Sequence, residues 1–195
     1  EAAILSRIQS LGSDLLFVRS GATTSGGVRN AMGSAATLTE EDASAIAAQV
    51  SNIAVAVPYY STSQQLVANS LNTRSSVIGT IPDYQTAYNL VPAQGAFFSD
   101  YDFTNGSRVA VLGSSVKDTL FKTGSPVGQT IRAGNQVLRV VGVLQSKGAS
   151  MGTSTDDSVF IPLSTMQQMF AQPRTSRGQN VVSQIAIKVK NEGQS

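Results

Sequence analysis

VIGTIPDY, at residues 77–84, is the most informative stretch of the chain for the fold, because it carries an apolar run into a proline turn. The β-branched residues predict a strand over 75–79. The Ile81-Pro82-Asp83-Tyr84 segment ends that strand and begins a short helix that reaches Leu90. A second strand is predicted over 64–69, with a turn between the two strands at 69–72.

Toward the N-terminus, helix and strand patterns alternate. Apolar residues at helical spacing predict a helix over 4–11, and an apolar run predicts a strand over 14–19. Residues 20–37 are rich in Gly, Ser and Ala, so we expect a flexible, exposed loop. Thr39 is a good N-cap, and the three carboxylates after it favour the start of a helix. Residues 53–57 then predict a strand that Pro58 ends.

Toward the C-terminus the chain becomes richer in short strands. Predicted strands cover 108–112, 130–132, 136–144, 159–161 and 181–189, and a short strand or turn covers 94–98. Ser114 and Ser164 are expected to cap two helices, and 145–155 is a second Gly/Ser-rich loop. The predicted fold class is α+β, with 88–175 forming a β-rich subdomain inserted into a subdomain made of 1–87 and 176–195.

Composition excludes many chemistries. The 195 residues include no Cys, His or Trp, and only 13% are charged. The sequence therefore offers no imidazole base, no Ser-His-Asp triad, no thiol chemistry and no ordinary zinc site. The net charge is only +2, and the Lys and Arg residues are scattered along the chain. The sequence therefore lacks the clustered basic patch that nucleic-acid-binding proteins use. We therefore predict no cofactor, no metal and no nucleic-acid partner.

Three short motifs suggest chemistry, and each has a simpler interpretation. GASMG at 148–152 matches the nucleophile-elbow pattern but lacks a histidine partner. Ser114 and Lys117 match S-x-x-K, and KTG follows at 122–124, yet the spacing is far shorter than in serine penicillin-binding proteins. DYDFTNG at 100–106 resembles a calcium loop whose glycine falls one place late, so a polar turn is the favoured interpretation.

A longer pattern runs through most of the chain. Its segments are VIGTIPDY at 77–84, QGAFFSD at 94–100, VAVLG at 109–113, LF at 120–121, PVGQTI at 126–131, VVGVL at 140–144 and VFIPLST at 159–165. In this order and spacing they resemble the MacB-like periplasmic core domain of FtsX-type ABC-transporter permeases. The chain also lacks any run of 18 apolar residues, and its ends look like cuts in a longer protein.

The resemblance implies an architecture and a context. It implies a porter-like mixed α/β subdomain with an inserted β-rich subdomain, on the periplasmic or extracellular side of the cytoplasmic membrane. It implies a non-catalytic domain that couples cytoplasmic ATP hydrolysis to export or to activation of a partner. The implied partners are a cytoplasmic ATPase, a second permease copy and a membrane-fusion adaptor or other extracytoplasmic protein.

The two Gly/Ser-rich loops are the expected contact elements of such a domain. The candidate partner-contact residues are Gly21, Gly26, Gly27, Arg29, Lys147 and Met151. Two alternatives stay open at this point. One is a secreted or surface domain for ligand binding or adhesion, and the other is a Ser–Lys hydrolase built on Ser114 or Ser150.

Overall fold

A computed structural model describes residues 15–20, 24–25, 28–29, 37–50, 52–148 and 154–189. The chain divides into two structural units, one formed by Glu1–Tyr60 with Ala171–Ser195 and the other by Ser61–Phe170. The inserted unit therefore begins within a long strand, earlier than the composition-based break at residue 88. The boundary at residue 88 stays a prediction, because it is based on a change in composition, whereas the two units are defined by contacts within the fold.

The described residues of the first unit form a three-stranded antiparallel sheet and one helix. The strands are β1 (Leu15–Arg19), the first part of β4 (Ile53–Ala68) and β11 (Gln184–Val189), with β11 in the centre. Helix α1 spans Glu40–Gln49. Strands β2 (Thr24–Ser25) and β3 (Val28–Arg29) form a small antiparallel pair. The segment expected to be a flexible loop therefore contains a regular hairpin.

The start of α1 confirms the predicted cap. The Thr39 hydroxyl accepts a hydrogen bond from the Asp42 N–H at 3.3 Å, and the Asp42 carboxylate accepts one from the Thr39 N–H at 2.8 Å. This reciprocal pair satisfies two backbone donors that a helix start otherwise leaves unpaired. The helix start was readable in the sequence because its partners lie three residues apart.

The prediction that Pro58 ends a strand was wrong. Strand β4 runs without a break through Pro58, which is paired with Ile185 of β11. A proline is tolerated in a strand at a position whose N–H is not needed for pairing. Strand β5 (Leu71–Thr80) follows β4 after a two-residue turn.

The second unit contains the remaining strands and four short helices. Its strands are the end of β4, β5, β6 (Pro92–Gly95), β7 (Val109–Leu112), β8 (Thr130–Ala133), β9 (Gln136–Leu144) and β10 (Ser158–Pro162). Its helices are α2 (Tyr84–Ala87), α3 (Asp100–Asn105), α4 (Ser114–Phe121) and α5 (Leu163–Met169). The predicted hairpin over 130–144 is confirmed, with its turn at Gly134 and Asn135.

Six strands of this unit pair in a closed ring. The order is β4-β5-β10-β7-β9, and β8 pairs with both β9 and β4. Leu66 of β4 is in register with Ala133 of β8, which makes the closing contact. Closure removes the free strand edges that an open sheet would leave. Strand β6 lies outside the ring, against β9.

Side chains alternate between the inside and the outside of this ring. On β8 and on β9 as far as Val140 the buried residues are Ile131, Ala133, Leu138 and Val140, each at most 1% exposed, whereas Gly142–Leu144 are all buried. Their neighbours Thr130, Arg132, Val137 and Arg139 are exposed. On β5, β7 and β10 both faces are largely buried, because helices α4 and α5 pack on the outer side of β5.

Three local predictions in this unit were wrong. Residues 100–105 form helix α3 rather than a polar loop, because Ser99 and Asp102 make a capping box that was not recognised. Ser114 is the first residue of α4, whose N-cap is Gly113. Ser164 lies inside α5, whose N-cap is Pro162, and its hydroxyl donates instead to the Phe103 carbonyl.

Candidate interaction site at the Asp156 loop stem

Residues at the start of the second Gly/Ser-rich loop are hydrogen-bonded to the buried carboxylate of Asp156. Asp156 lies in the short 3-10 turn Thr155–Asp157 before β10 and is 7% exposed. Its carboxylate accepts hydrogen bonds from the Ser146 hydroxyl at 2.7 Å, the Lys147 N–H at 2.9 Å and the Gly148 N–H at 3.0 Å. The loop stem, defined here as residues 146–148 with Asp156, is therefore fixed by one side chain.

Helix α4 also contributes to this stem. The Ser114 hydroxyl is a fourth hydrogen-bond donor to the Asp156 carboxylate. Gly113, the residue before it, donates its N–H to the Ser158 carbonyl at 2.8 Å. A Cβ on Gly113 would lie 2.3 Å from the Thr155 oxygen and 2.4 Å from the Asp156 oxygen. Only glycine allows the helix start to approach the turn this closely.

The charge state of Asp156 follows from these contacts. Burial by itself would raise the pKa of Asp156, but the hydrogen bonds from Lys147, Ser146, Gly148 and Ser114 outweigh it and hold the pKa below its usual value. Asp156 is therefore ionised at neutral pH. The carboxylate acts as an electrostatic and hydrogen-bonding anchor for the stem.

Lys147 is the one candidate contact residue whose side chain the structure describes. Its ammonium donates a hydrogen bond to the Tyr88 carbonyl at 2.5 Å. Partial burial lowers the pKa of Lys147, and the attraction of Asp156 opposes that shift. The backbone of Lys147 is thus bound to Asp156 and its side chain to the Tyr88 carbonyl.

Of the other candidate contact residues, Arg29 alone lies within the part of the chain that the structure describes. Arg29 lies in β3, opposite Thr24 of β2. Gly21, Gly26, Gly27 and Met151 lie outside the described residues, as do the predicted helix over 4–11 and most of the GASMG motif. Whether these residues make partner contacts therefore stays a prediction.

The S-x-x-K motif does not form a serine–lysine pair. Ser114 bonds to Asp156, whereas the Lys117 ammonium donates to the Lys122 carbonyl at 2.6 Å and contacts the Asp118 carboxylate at 3.1 Å. Lys117 therefore supplies a hydrogen-bond donor to a carbonyl at the end of helix α4 and is not placed to activate the Ser114 hydroxyl. The geometry gives no support to the Ser–Lys hydrolase alternative.

The calcium-loop resemblance at 100–106 also has a structural explanation. The Asp102 carboxylate accepts from the Ser99 N–H at 3.0 Å and from its hydroxyl at 2.8 Å. Burial would raise the pKa of Asp102, but these bonds, one from Ser107 and the attraction of Arg139 lower it. Among the residues that the structure describes, no group of three or more His, Cys, Asp or Glu side chains could hold a metal ion.

Sequence reasoning missed the role of Asp156. Asp156 and Asp157 are adjacent in the sequence, and this pair by itself predicts no shared partner. The available signal was the combination of Ser146 and Gly148 with an aspartate that closes the same loop, since Ser, Gly and Asp favour local side-chain-to-backbone bonds. The contribution of Ser114, more than 40 residues away, leaves no such pattern.

The described fold is that of the extracytoplasmic domains of ABC-type transporters. It matches the crystal structure of the periplasmic region of MacB from Actinobacillus actinomycetemcomitans with a TM-score of 0.76 and 22% identity, over 99% of this chain and 82% of that one. It also matches the extracellular domain of the transporter YknZ from Gram-positive bacteria, with a TM-score of 0.66 and 24% identity, over 82% of this chain and 76% of that one.

The chain belongs to the MacB-like periplasmic core domain family, whose model matches residues 1–195. The macrolide export ATP-binding/permease protein MacB of Bdellovibrio bacteriovorus is 33% identical over 190 residues, which are 97% of this chain and 28% of that protein. The protein of the same name from Rhodospirillum rubrum is 38% identical over 164 residues, which are 83% of this chain and 25% of that protein. The chain thus spans about a quarter of the length of these relatives. No helix among the described residues is long and apolar enough to cross a membrane.

Proposed function

We propose that this chain is the non-catalytic extracytoplasmic domain of an ABC-transporter permease anchored in the cytoplasmic membrane, and that it transmits ATP-driven movement to export. The observation that carries the proposal is the family match over all 195 residues. Relatives over most of the chain are named ATP-binding/permease proteins for macrolide export. A macrolide is therefore the substrate class to test first, with the ATPase and a second permease copy as partners.

The pairing of β1 with β11 supports a mechanical role. Leu15 is opposite Lys188 and Arg19 is opposite Gln184, so the strand near one end of the chain and the strand near the other form one antiparallel ribbon. Movement applied to either flanking segment reaches both strands together. The Arg19 guanidinium also donates to the Gln184 side chain at 2.6 Å, which ties the ribbon at its far end.

The loop stem supports a contact role for the loop over 145–155. Three hydrogen bonds hold residues 146–148 to one carboxylate, and this order at the start of the loop lowers the entropy cost of binding a partner. We propose that this loop, including Lys147 and Met151, contacts a membrane-fusion adaptor or another extracytoplasmic protein. The hairpin that carries Arg29, with Gly21, Gly26 and Gly27, is proposed as a second contact.

The experiment uses the full-length permease with its ATPase in proteoliposomes, and measures ATP hydrolysis and macrolide transport in the same sample. Three variants are compared, namely deletion of residues 22–34, Asp156→Asn and the matched control Asp157→Asn. We expect the deletion and Asp156→Asn to keep ATP hydrolysis and lose most transport. Asp157→Asn should retain both, because Asp157 is exposed and lies outside the stem.

Two results would overturn parts of this proposal. Unchanged transport and partner binding after deletion of 22–34 would remove that segment from the mechanism. Turnover of a generic ester by the isolated chain, abolished by Ser114→Ala or Ser150→Ala, would show an enzyme instead of a coupling domain.

A further inference from the structure

An outward face of the six-stranded ring carries arginines without any acidic neighbour on the same strands. The segments 61–68, 71–80, 130–133 and 136–144 form the antiparallel series β5-β4-β8-β9. Together they contain Arg74, Arg132 and Arg139 but no Asp, Glu, Phe, Tyr or Trp. All three arginines are exposed. We define the arginine face as the outward side of 61–68, 71–74, 130–133 and 136–141, because helices α4 and α5 pack against the later part of β5.

Register places the side chains of this face. Arg132 of β8 is opposite Val67 of β4 and Val137 of β9, and Arg139 of β9 is opposite Thr130 of β8. Residues in register point to the same side of a sheet, so both arginines flank the half-exposed Val137 on the outside. Arg132 and Arg139 are diagonal neighbours, about 7–8 Å apart at their Cα atoms.

Neither arginine is neutralised within the part of the chain that the structure describes. Arg132 has no ion pair with any described carboxylate, and Arg139 feels Asp102 only as a longer-range attraction. The Asp102 carboxylate is itself occupied by Ser99. Arg74, farther along the face, donates to the Ser63 hydroxyl at 3.0 Å and makes no described ion pair.

We propose that the arginine face binds an acidic, extended segment of a partner protein. Alternate residues of an extended strand are about 6.6 Å apart, which matches the spacing of Arg132 and Arg139. Arginine binds carboxylates through two parallel hydrogen bonds, and arginine beside apolar area is typical of protein interfaces. The ring is closed here, so the contact uses side chains and not an added strand.

Other anionic partners fit this face less well. Attraction to an anionic membrane generally requires clusters of four to eight Lys and Arg residues, and three arginines on three separate strands fall short of that. Single-stranded nucleic acid binds by stacking on aromatic side chains, which these strands lack. The face shares no residue with the loop stem, so this proposal stands or fails independently of the proposed function.

The test measures binding of a fluorescent peptide of alternating threonine and glutamate to the 195-residue chain at physiological ionic strength. We expect Arg132→Gln/Arg139→Gln to weaken binding by about tenfold or more, since two charge-assisted contacts are lost. The matched control is Arg174→Gln/Arg177→Gln, which removes the same charge from an exposed segment of the other unit. The affinity of this control variant for the peptide should stay within about threefold of that of the wild type. A peptide with Gln in place of Glu should not bind.

Circular dichroism of each variant separates loss of binding from loss of fold. Equal weakening in both double variants would overturn the proposal, because it would show attraction by net charge alone. Absence of peptide binding to the wild type would also overturn it. Binding of phosphatidylglycerol vesicles that depends on Arg132 and Arg139, without peptide binding, would assign the face to a membrane surface instead.

Discussion

The Ser146 hydroxyl donates a 2.7 Å hydrogen bond to the carboxylate of Asp156, ten residues later in the chain. This bond joins the two ends of the second Gly/Ser-rich loop. The N–H groups of Lys147 and Gly148 donate to the same carboxylate, so residues 146–148 are held to Asp156. The stability of that stem depends on one ionised, buried side chain, and two predictions test this dependence.

Replacing Asp156 should destabilise the protein more than replacing its neighbour. Asp156→Asn removes the charge and one acceptor from a group with four donors, and should lower the free energy of unfolding by about 1.5–3 kcal/mol. Asp157→Asn changes an exposed carboxylate and should shift it by about 0.5 kcal/mol or less. Urea unfolding at pH 7 measures both, and equal effects would show that the stem does not depend on Asp156.

Acid should weaken the fold through the same residue. The pKa of Asp156 is lower in the folded protein than its usual value, so the unfolded chain binds the proton first as the pH falls. The stabilisation is complete at neutral pH and is lost as the pH falls below about 4 and through the lower folded pKa. Asp102 contributes in the same direction. Urea midpoints from pH 7 to pH 3 should therefore fall less steeply in Asp156→Asn than in the wild type.

Gly113 should tolerate no side chain. Gly113→Ala places a Cβ within 2.4 Å of two backbone oxygens, those of Thr155 and Asp156. Relieving this overlap requires movement of α4 away from the turn, at a cost of about 1–3 kcal/mol or more. Gly124→Ala is the control, because its Cβ meets only one atom, at 3.3 Å. Thermal denaturation should show a clearly lower Tm for the first variant, and matching values would contradict the close approach.

Gln172 and Gln184 should respond oppositely to the same substitution. Both amide atoms of Gln172 are buried without a hydrogen-bond partner in the structure, whereas Gln184 accepts a 2.6 Å bond from Arg19. Gln172→Met keeps the volume, removes an unsatisfied group and should be neutral or stabilising. Gln184→Met removes the hydrogen bond to Arg19, whose exposed guanidinium can bind water instead, and should cost about 0.5–1.5 kcal/mol. Denaturant midpoints measure the difference, and a large loss in Gln172→Met would reveal a partner for that amide.

Helix caps, hairpins and strands could be predicted from the sequence where the residues that determine them are close together in the chain. The cap at Thr39, the hairpin over 130–144 and the strand before Pro162 were all predicted correctly. The short segments that resemble the MacB-like family were also sufficient to identify it. Local patterns were less reliable where a proline or an aspartate has two possible roles, as Pro58 and Asp102 showed.

The sequence by itself determined where most of the strands lie, which residues of the 130–144 hairpin are apolar and which family the chain belongs to. Only the tertiary structure decided that β8 pairs with β4 to close a ring, that Ser114 binds Asp156, and that Arg132 and Arg139 share one outward face. The physical reason is that periodicity fixes the backbone conformation and the buried side of a segment. It does not specify which distant segment will supply the hydrogen-bonding partner.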